Sequence, residues 1–315
     1  MTTIHAKRMA ALAFAATMLV AACGGSAATT APSAAASAAA SSGPAASGSA
    51  PAACVDGSIT TSGSTALQPL VDAAGKAYVA NCPKSTISVQ GGGSGTGLTQ
   101  VSQGAVQIGA SDVTADSKLP ADQAAALVNH IVARQGWVMV VNSGVTGVTS
   151  LTTQQAQDIW SCPAGQTAPK ITNWKQVGGP DVPIVLVLRP ASSGTRATFK
   201  KLVLNGVDEC AGQALTEDSN GAVTTAIGQT AGATSVIGFA YYAANSTKVA
   251  ALGLDGVQGS VDNMANNTYK LQANGNLYTK GQPDGLTKSF LDYMMSDYIQ
   301  KTLIPANYYG PAPAQ

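Results

Sequence analysis

The residues best placed to do chemistry lie in Arg189-Pro190-Ala191-Ser192-Ser193-Gly194-Thr195-Arg196, which follows the apolar run Ile184 to Leu188 and precedes a helical pattern through Phe199, Leu202 and Val203. A strand that ends at Arg189 puts a guanidinium fork beside a helix start. The first amides of a helix have no intrahelical acceptor and carry a partial positive charge, so Ser193, Gly194 and Thr195 offer donors to an anion. The fork itself matches the oxygens of a phosphate or carboxylate. The stretch reads as an oxyanion site.

Two further turns have the same strand, Gly/Ser, helix form. Ser58 to Thr61 runs into Ser62-Gly63-Ser64-Thr65-Ala66-Leu67, after which Leu67, Leu70, Val71, Ala74 and Tyr78 share one helix face, with Pro69 tolerable only in the first turn. Thr86 to Val89 alternates as a strand and leads into Gln90-Gly91-Gly92-Gly93-Ser94-Gly95-Thr96-Gly97, with Leu98 and Val101 on the helix beyond. This glycine loop satisfies neither the dinucleotide fingerprint nor the Walker pattern, and Thr96 breaks Gly-x-Ser-x-Gly around Ser94. What it offers is amide density beside a hydroxyl.

A strand over Val106 to Ser111 ends on Asp112. An ionised carboxylate only accepts hydrogen bonds, so at the mouth of an anion site it attracts an oxyanion that still carries a proton and repels one that does not.

The elements that must hold these groups alternate strand and helix, which implies a parallel α/β sheet in each of two lobes. Pro120 to Val128 suits a helix. Gly136 to Asn142 and Ile237 to Tyr242 are buried strands expected to cross between the lobes. Thr152 and Gln155 form a capping box ahead of Ala156, Ile159 and Trp160, and Leu286 to Ile299 closes the chain as an amphipathic helix.

The first 22 residues carry Lys7 and Arg8, then the apolar run Met9 to Val20: an export signal too short to span a bilayer stably. Leu19-Val20-Ala21-Ala22-Cys23 looks like a lipobox, so residues 1–22 are expected to be removed and Cys23 lipidated, which tethers the protein to the outer side of the cell membrane. Residues 23–53 are nearly all Ala, Ser, Gly, Thr and Pro, a flexible tether that cannot bury a core. The 315-residue chain has 17 basic and 16 acidic residues, and loss of Lys7 and Arg8 leaves 15 against 16. No basic stripe exists, which excludes nucleic acid as the expected partner.

Of five cysteines, assigning Cys23 to lipid leaves Cys54, Cys82, Cys162 and Cys210, an even number in an exported chain. Three pairings are possible. Cys54 with Cys82 and Cys162 with Cys210 is favoured because each pair lies within one sequence half, and the first would join the starts of two neighbouring parallel strands. No Cys-x-x-Cys occurs and His130 is the one histidine beyond the leader, so no metal or other cofactor is expected.

With these turns and Asp112 in view, residues 57 to 310 resemble the phosphate-binding lipoproteins of bacterial phosphate ABC transporters, of the type II periplasmic-binding-protein fold. The matching stretches, in the family's order, are Gly63-Ser64-Thr65, Gly91 to Gly95, Ile108 to Asp112, Ile171-Thr172-Asn173-Trp174, Arg189 with Ser193 to Arg196, and Ile237-Gly238-Phe239. The resemblance implies a two-lobed α/β protein with residues 54–136 and 241–315 in lobe 1 and 137–240 in lobe 2. It implies a monomer that holds inorganic phosphate dehydrated in the cleft and delivers it to ABC permease subunits. By resemblance the ligand set is Ser64, Thr65, the amide of Ala66, and Ser94, with Asp112 accepting the phosphate's proton and Arg189, Ser193, Gly194 and Thr195 binding from lobe 2. Two departures stand out. Ala191 occupies the place where the family often has an acid paired with the arginine, and Ala66 replaces an aromatic residue of some members.

Other readings are a receptor for a different oxyanion, and a serine hydrolase or phosphatase using Ser94 or Ser193. Asp112 argues against the first for sulfate-like ligands. The second would have to draw its imidazole base from His130, far in sequence from any serine turn.

Overall fold

The computed structural model describes residue 51, residues 53–212 and residues 214–313. The leader, Cys23 and nearly all of the tether lie outside the described residues.

Strand β1 (Gly57–Gly63) is followed by helix α1 (Gln68–Asn81), β2 (Ser85–Gly92) by α2 (Ser94–Gln103), and then comes β3 (Ile108–Ser111). β1 pairs in parallel with β2 and β3. Gly63 ends β1 at φ +132°, where an added Cβ would run into the carbonyl of Ala110 on β3; this close approach lets the first turn sit beside the end of β3. A short helix α3 (Ala121–Ala125) leads to β4 (Leu127–Asn142). The helix expected to reach Val128 stops early because Leu127 onward pairs with a late strand of the chain, and that long-range ladder overrides local helix propensity.

Beyond β4 come β5 (Ser150–Leu151), α4 (Thr153–Trp160), β6 (Val185–Leu188), α5 (Gly194–Leu202), β7 (Leu215–Thr216), α6 (Asn220–Gln229), β8 (Ala233–Gly238), α7 (Phe239–Asn245), β9 (Val249–Leu254), α8 (Val261–Ala265), β10 (Gln272–Lys280), α9 (Gly285–Met294), α10 (Ile304–Ala306) and β11 (Gly310–Pro311). The capping box of α4 forms as its sequence requires, with Thr152 and Gln155 bonding reciprocally. The helix expected to continue to Ile299 ends at Met294, and Ile299–Leu303 takes wider π-type turns.

Two lobes follow from the pairing. The sheet runs β2-β1-β3-β10-β4-β8-β6-β7, with β9 and β11 also on β4. The first half of β4 pairs with β10 between Leu127 and Gly136, and its second half pairs with β8 and β9 between Trp137 and Asn142. β4 is therefore the first crossing, and Trp137 to Val141 are fully buried within it.

The return crossing falls later than expected. Ile237 and Gly238 end β8, but Phe239 to Tyr242 form the start of α7, and the chain stays in the second lobe through β9. It returns where Leu271 accepts a hydrogen bond from the Trp137 amide and β10 begins. Val249, Leu252, Leu254, Met264, Tyr269 and Leu271 accordingly pack in the core of Trp137, Trp160 and Trp174, whereas Leu277, Phe290 and Met294 pack with Leu70 and Tyr78. The lobe 2 boundary at residue 240 is thus corrected to about residue 271.

The sheets are also mixed rather than parallel throughout. β10 runs antiparallel to β3 and β4, and β4 antiparallel to β8 and β9. Only strands joined by helical crossovers need be parallel; β4 and β10 pass between lobes in opposite directions.

Cys54 pairs with Cys82 at a Cα separation of 5.4 Å, and Cys162 with Cys210 at 5.0 Å. The first bridge ties the chain just before β1 to the chain just before β2, as the parallel pairing of these strands requires. Among the described residues, no helix is long and apolar enough to cross a membrane.

Candidate functional site

Four helix starts converge between the lobes: α1 and α2 from the first, α5 and α6 from the second. Their approach buries Ser64, Thr65, Ser94, Asp112, Arg189, Ser193, Thr195 and Asn220, each at most 4 % exposed. Such a concentration of buried polar groups requires a dense hydrogen-bond network.

Asp112 lies at its centre. Its Oδ1 accepts from the Ser64 hydroxyl and from Gln135 Nε2 at 2.9 Å, and its Oδ2 accepts from Thr195 Oγ1 of the opposite lobe at 3.3 Å. Its backbone amide donates to Ser94 Oγ at 2.9 Å. Burial raises the Asp112 carboxyl above the usual carboxylate range, against the opposing effects of the Ser64 and Gln135 hydrogen bonds and the Arg189 charge. Gln135 was invisible as a site residue in the sequence; the available signal was a polar side chain inside an otherwise buried strand.

Arg189 emerges from β6 and is 3 % exposed. Its Nε donates to the carbonyl of Glu217 at 3.0 Å, and Nη2 donates to the carbonyl of Asp218 at 2.8 Å and to Thr65 Oγ1 at 3.3 Å. These carbonyls fix the orientation of the guanidinium. Burial pulls the guanidinium below its ordinary range while Asp112 and Asp218 oppose the shift, and an arginine remains charged regardless. Its Nη1 is buried without a protein partner.

The other expected ligands divide into two sets. Ser64 Oγ donates to Asp112 and accepts from the amides of Ala66 and Leu67 at 3.2 and 3.0 Å, so it orients Asp112 and closes the turn that leads into α1. The Ala66 amide is committed to that turn. Ser193 caps α5 by accepting from the Arg196 amide at 3.2 Å. Gly194 and Thr195 begin α5, so their amides lack intrahelical acceptors, and Thr195 Oγ1 accepts from Trp137 Nε1 at 3.1 Å.

The loop between Arg189 and α5 is gripped from the first lobe. Lys118 Nζ donates to the carbonyl of Ala191 at 2.7 Å and the Gly95 amide to the carbonyl of Ser192 at 2.8 Å. On the second lobe's own side, Arg196 Nη1 donates to the carbonyl of Arg189 at 2.9 Å. A cavity of about 600 Å³, lined by Asn129, Thr198, Lys200 and Asn274, opens beside Asp112. Among the described residues no group of three or more His, Cys, Asp or Glu is placed to hold a metal ion.

Residues 48–298 match the family model described as a PBP superfamily domain. This chain belongs to the PBP superfamily. The phosphate-binding protein PstS of Bacillus subtilis (strain 168) is 46 % identical to it over 255 residues, covering 81 % of each chain. Among solved structures, a putative phosphate ABC transporter substrate-binding protein with bound phosphate from Clostridium perfringens superposes with a TM-score of 0.71 at 27 % identity, covering 82 % of this chain and all of that one. An ABC-type phosphate transport receptor from Vibrio cholerae does so with a TM-score of 0.61 at 30 % identity over the same shares. In this PBP-superfamily chain the cleft between the lobes is where the buried polar groups gather.

Proposed function

We propose that the protein binds inorganic phosphate in the interlobe cleft, outside the cytoplasm, and delivers it to the permease of an ABC transporter. The observation that carries this reading is the pairing of a buried Arg189, whose Nη1 has no protein partner, with a buried Asp112 in one cleft. A tetrahedral anion that keeps one proton satisfies both: its unprotonated oxygens accept from Arg189 and the α5 amides, and its P–OH donates to Asp112. The likeness to the Bacillus subtilis protein and to the Clostridium perfringens structure supports the same ligand.

Within this reading Thr65, Ser94, Gly194 and Thr195 contact the anion from opposite lobes, and Ser64, Gln135 and Ser193 position the groups that do. The lobes hinge through β4 and the segment before β10, and closure assembles the site. The protein acts as a binding receptor rather than an enzyme. Residues 1–22 serve as export signal, Cys23 as lipid anchor and residues 23–53 as tether, so that a monomeric receptor reaches its permease while held at the membrane.

Isothermal titration of the purified chain with phosphate and with sulfate tests the central claim. Tight, saturable phosphate binding with sulfate excluded is expected; equal affinity for both would sink it.

A further inference from the structure

We propose that Asn220 is a positioning residue that turns the Thr65 hydroxyl into an obligatory donor, so that this end of the cleft demands an unprotonated oxygen. The inference rests on the phosphate reading above and deepens it.

Asn220 is the first residue of α6, fully buried, with Ser219 capping the helix. Its carboxamide has one orientation open to it. The amide of Gly238, which can only donate, lies 2.8 Å from Asn220 Oδ1. That contact assigns the oxygen, and the other end of the carboxamide must be the NH₂ group. Asn220 Nδ2 then donates to Thr65 Oγ1 at 2.8 Å. The backbone amide of Asn220 and Nη2 of Arg189 approach the same oxygen, each at 3.3 Å.

A hydroxyl has two lone pairs and one hydrogen. The 2.8 Å bond from Asn220 Nδ2 takes one lone pair of Thr65 Oγ1 and the two donors at 3.3 Å share the other, and none of the three can receive its proton. The O–H of this buried residue must therefore point to an acceptor that arrives in the cleft. The opposite pole uses the same device: Trp137 Nε1, a donor only, occupies Thr195 Oγ1, which then donates to Asp112. The cleft thus has a direction. Thr65 and Arg189 present donors at one end and Asp112 an acceptor at the other, which orients a monoprotonated tetrahedral oxyanion with its proton toward Asp112.

The test is a double-mutant cycle on the full chain, with inorganic phosphate titrated calorimetrically into wild type, Asn220→Ala, Thr65→Val and the double variant. Asn220→Ala should weaken phosphate binding at least tenfold in the wild-type background and less than threefold when residue 65 is valine. A merely structural Asn220 weakens binding by the same factor in both backgrounds, and that outcome overturns the proposal. If Asn220→Ala does not fold, Asn220→Asp keeps the acceptor for the Gly238 amide and exchanges the donor for an acceptor. Its charge repels the anion in either background, so the ratio of the two factors isolates the hydroxyl. A ratio well above one is expected and a ratio of one overturns the proposal. Failure of the wild type to bind phosphate would instead remove the phosphate reading on which it stands.

Discussion

Gly194 at the start of α5 and Asp112 at the end of β3 meet across the cleft with no space for a side chain between them. A methyl on Gly194 would lie 2.6 Å from Asp112 Cβ and 2.7 Å from its Oδ2, and would collide with Ser94 Oγ. The closed arrangement of the lobes therefore depends on the absence of a side chain at a position whose backbone conformation any residue could adopt.

Gly194→Ala should leave the ligand-free fold intact, because the clash arises only between lobes. Overpacking of this kind costs about 1 to 3 kcal/mol, so phosphate affinity should fall by roughly fivefold to 150-fold. Calorimetric titration alongside thermal unfolding without ligand checks both halves.

Lys118 and Ala191 form a latch at the edge of the cleft. Lys118→Met keeps the length of the side chain and removes the bond to the Ala191 carbonyl. In this partly solvated position the loss is about 1 kcal/mol, expected as roughly fivefold faster phosphate release in stopped-flow measurements with association little changed.

Asp112→Asn should still bind phosphate but lose its exclusion of sulfate, because the charge that repels an anion without a proton is gone. Arg189→Ala should weaken both anions, by about 1.5 to 3 kcal/mol for each charge-assisted bond lost. Competition titrations of both variants separate specificity from affinity. Strict sulfate exclusion by Asp112→Asn would remove Asp112 as the selectivity element.

Glu209 carries a pH dependence. Its Oε2 lies 2.7 Å from Nε of Arg196, but burial outweighs that cation and raises its pKa from 4.5 to about 7. The folded form then binds the proton more tightly than the unfolded form. The stabilisation is fully present below about pH 4.5 and is lost as pH rises through 7, amounting to roughly 3 kcal/mol at the upper limit. Half-buried His130, held below its ordinary range chiefly by desolvation, acts in the opposite direction, since its stabilisation is lost on acidification. The informative quantity is therefore the difference between wild type and Glu209→Gln. Melting temperatures taken from pH 5 to 8 should show wild type losing stability relative to Glu209→Gln as pH rises, whereas parallel curves would refute the assignment.

Reduction of the two disulfides should lower stability without abolishing phosphate binding. The bridges tie strand and loop ends, while the cores around Trp137 and Leu70 hold the cleft. Each is worth about 2 to 4 kcal/mol, and denaturant titration with and without reductant, at saturating phosphate and without it, measures the effect.

Much of this was legible in the residues because it is local. A Gly/Ser turn between a short strand and a helix face reads off a dozen consecutive positions, and so do the capping box of Thr152 and Gln155, the buried run ahead of Arg189, and the acid at the end of β3. What the turns would do together was not local. Ser64 and Ser193 have the residue types of ligands, yet Ser193 caps α5, while Ser64 closes the turn before α1 and bonds to Asp112.

The sequence by itself determined the helix starts that follow the Gly/Ser turns and the strand that carries Arg189, because each depends on hydrogen bonds or periodicity within a few residues. Only the tertiary structure decided that Asn220 meets Thr65 across 155 positions, that Gln135 faces Asp112, that β4 and β10 run antiparallel, and that the chain returns at Leu271. Those outcomes turn on which distant backbone supplies the missing ladder partner and which buried donor finds its acceptor. Neither is encoded in any single stretch of the chain.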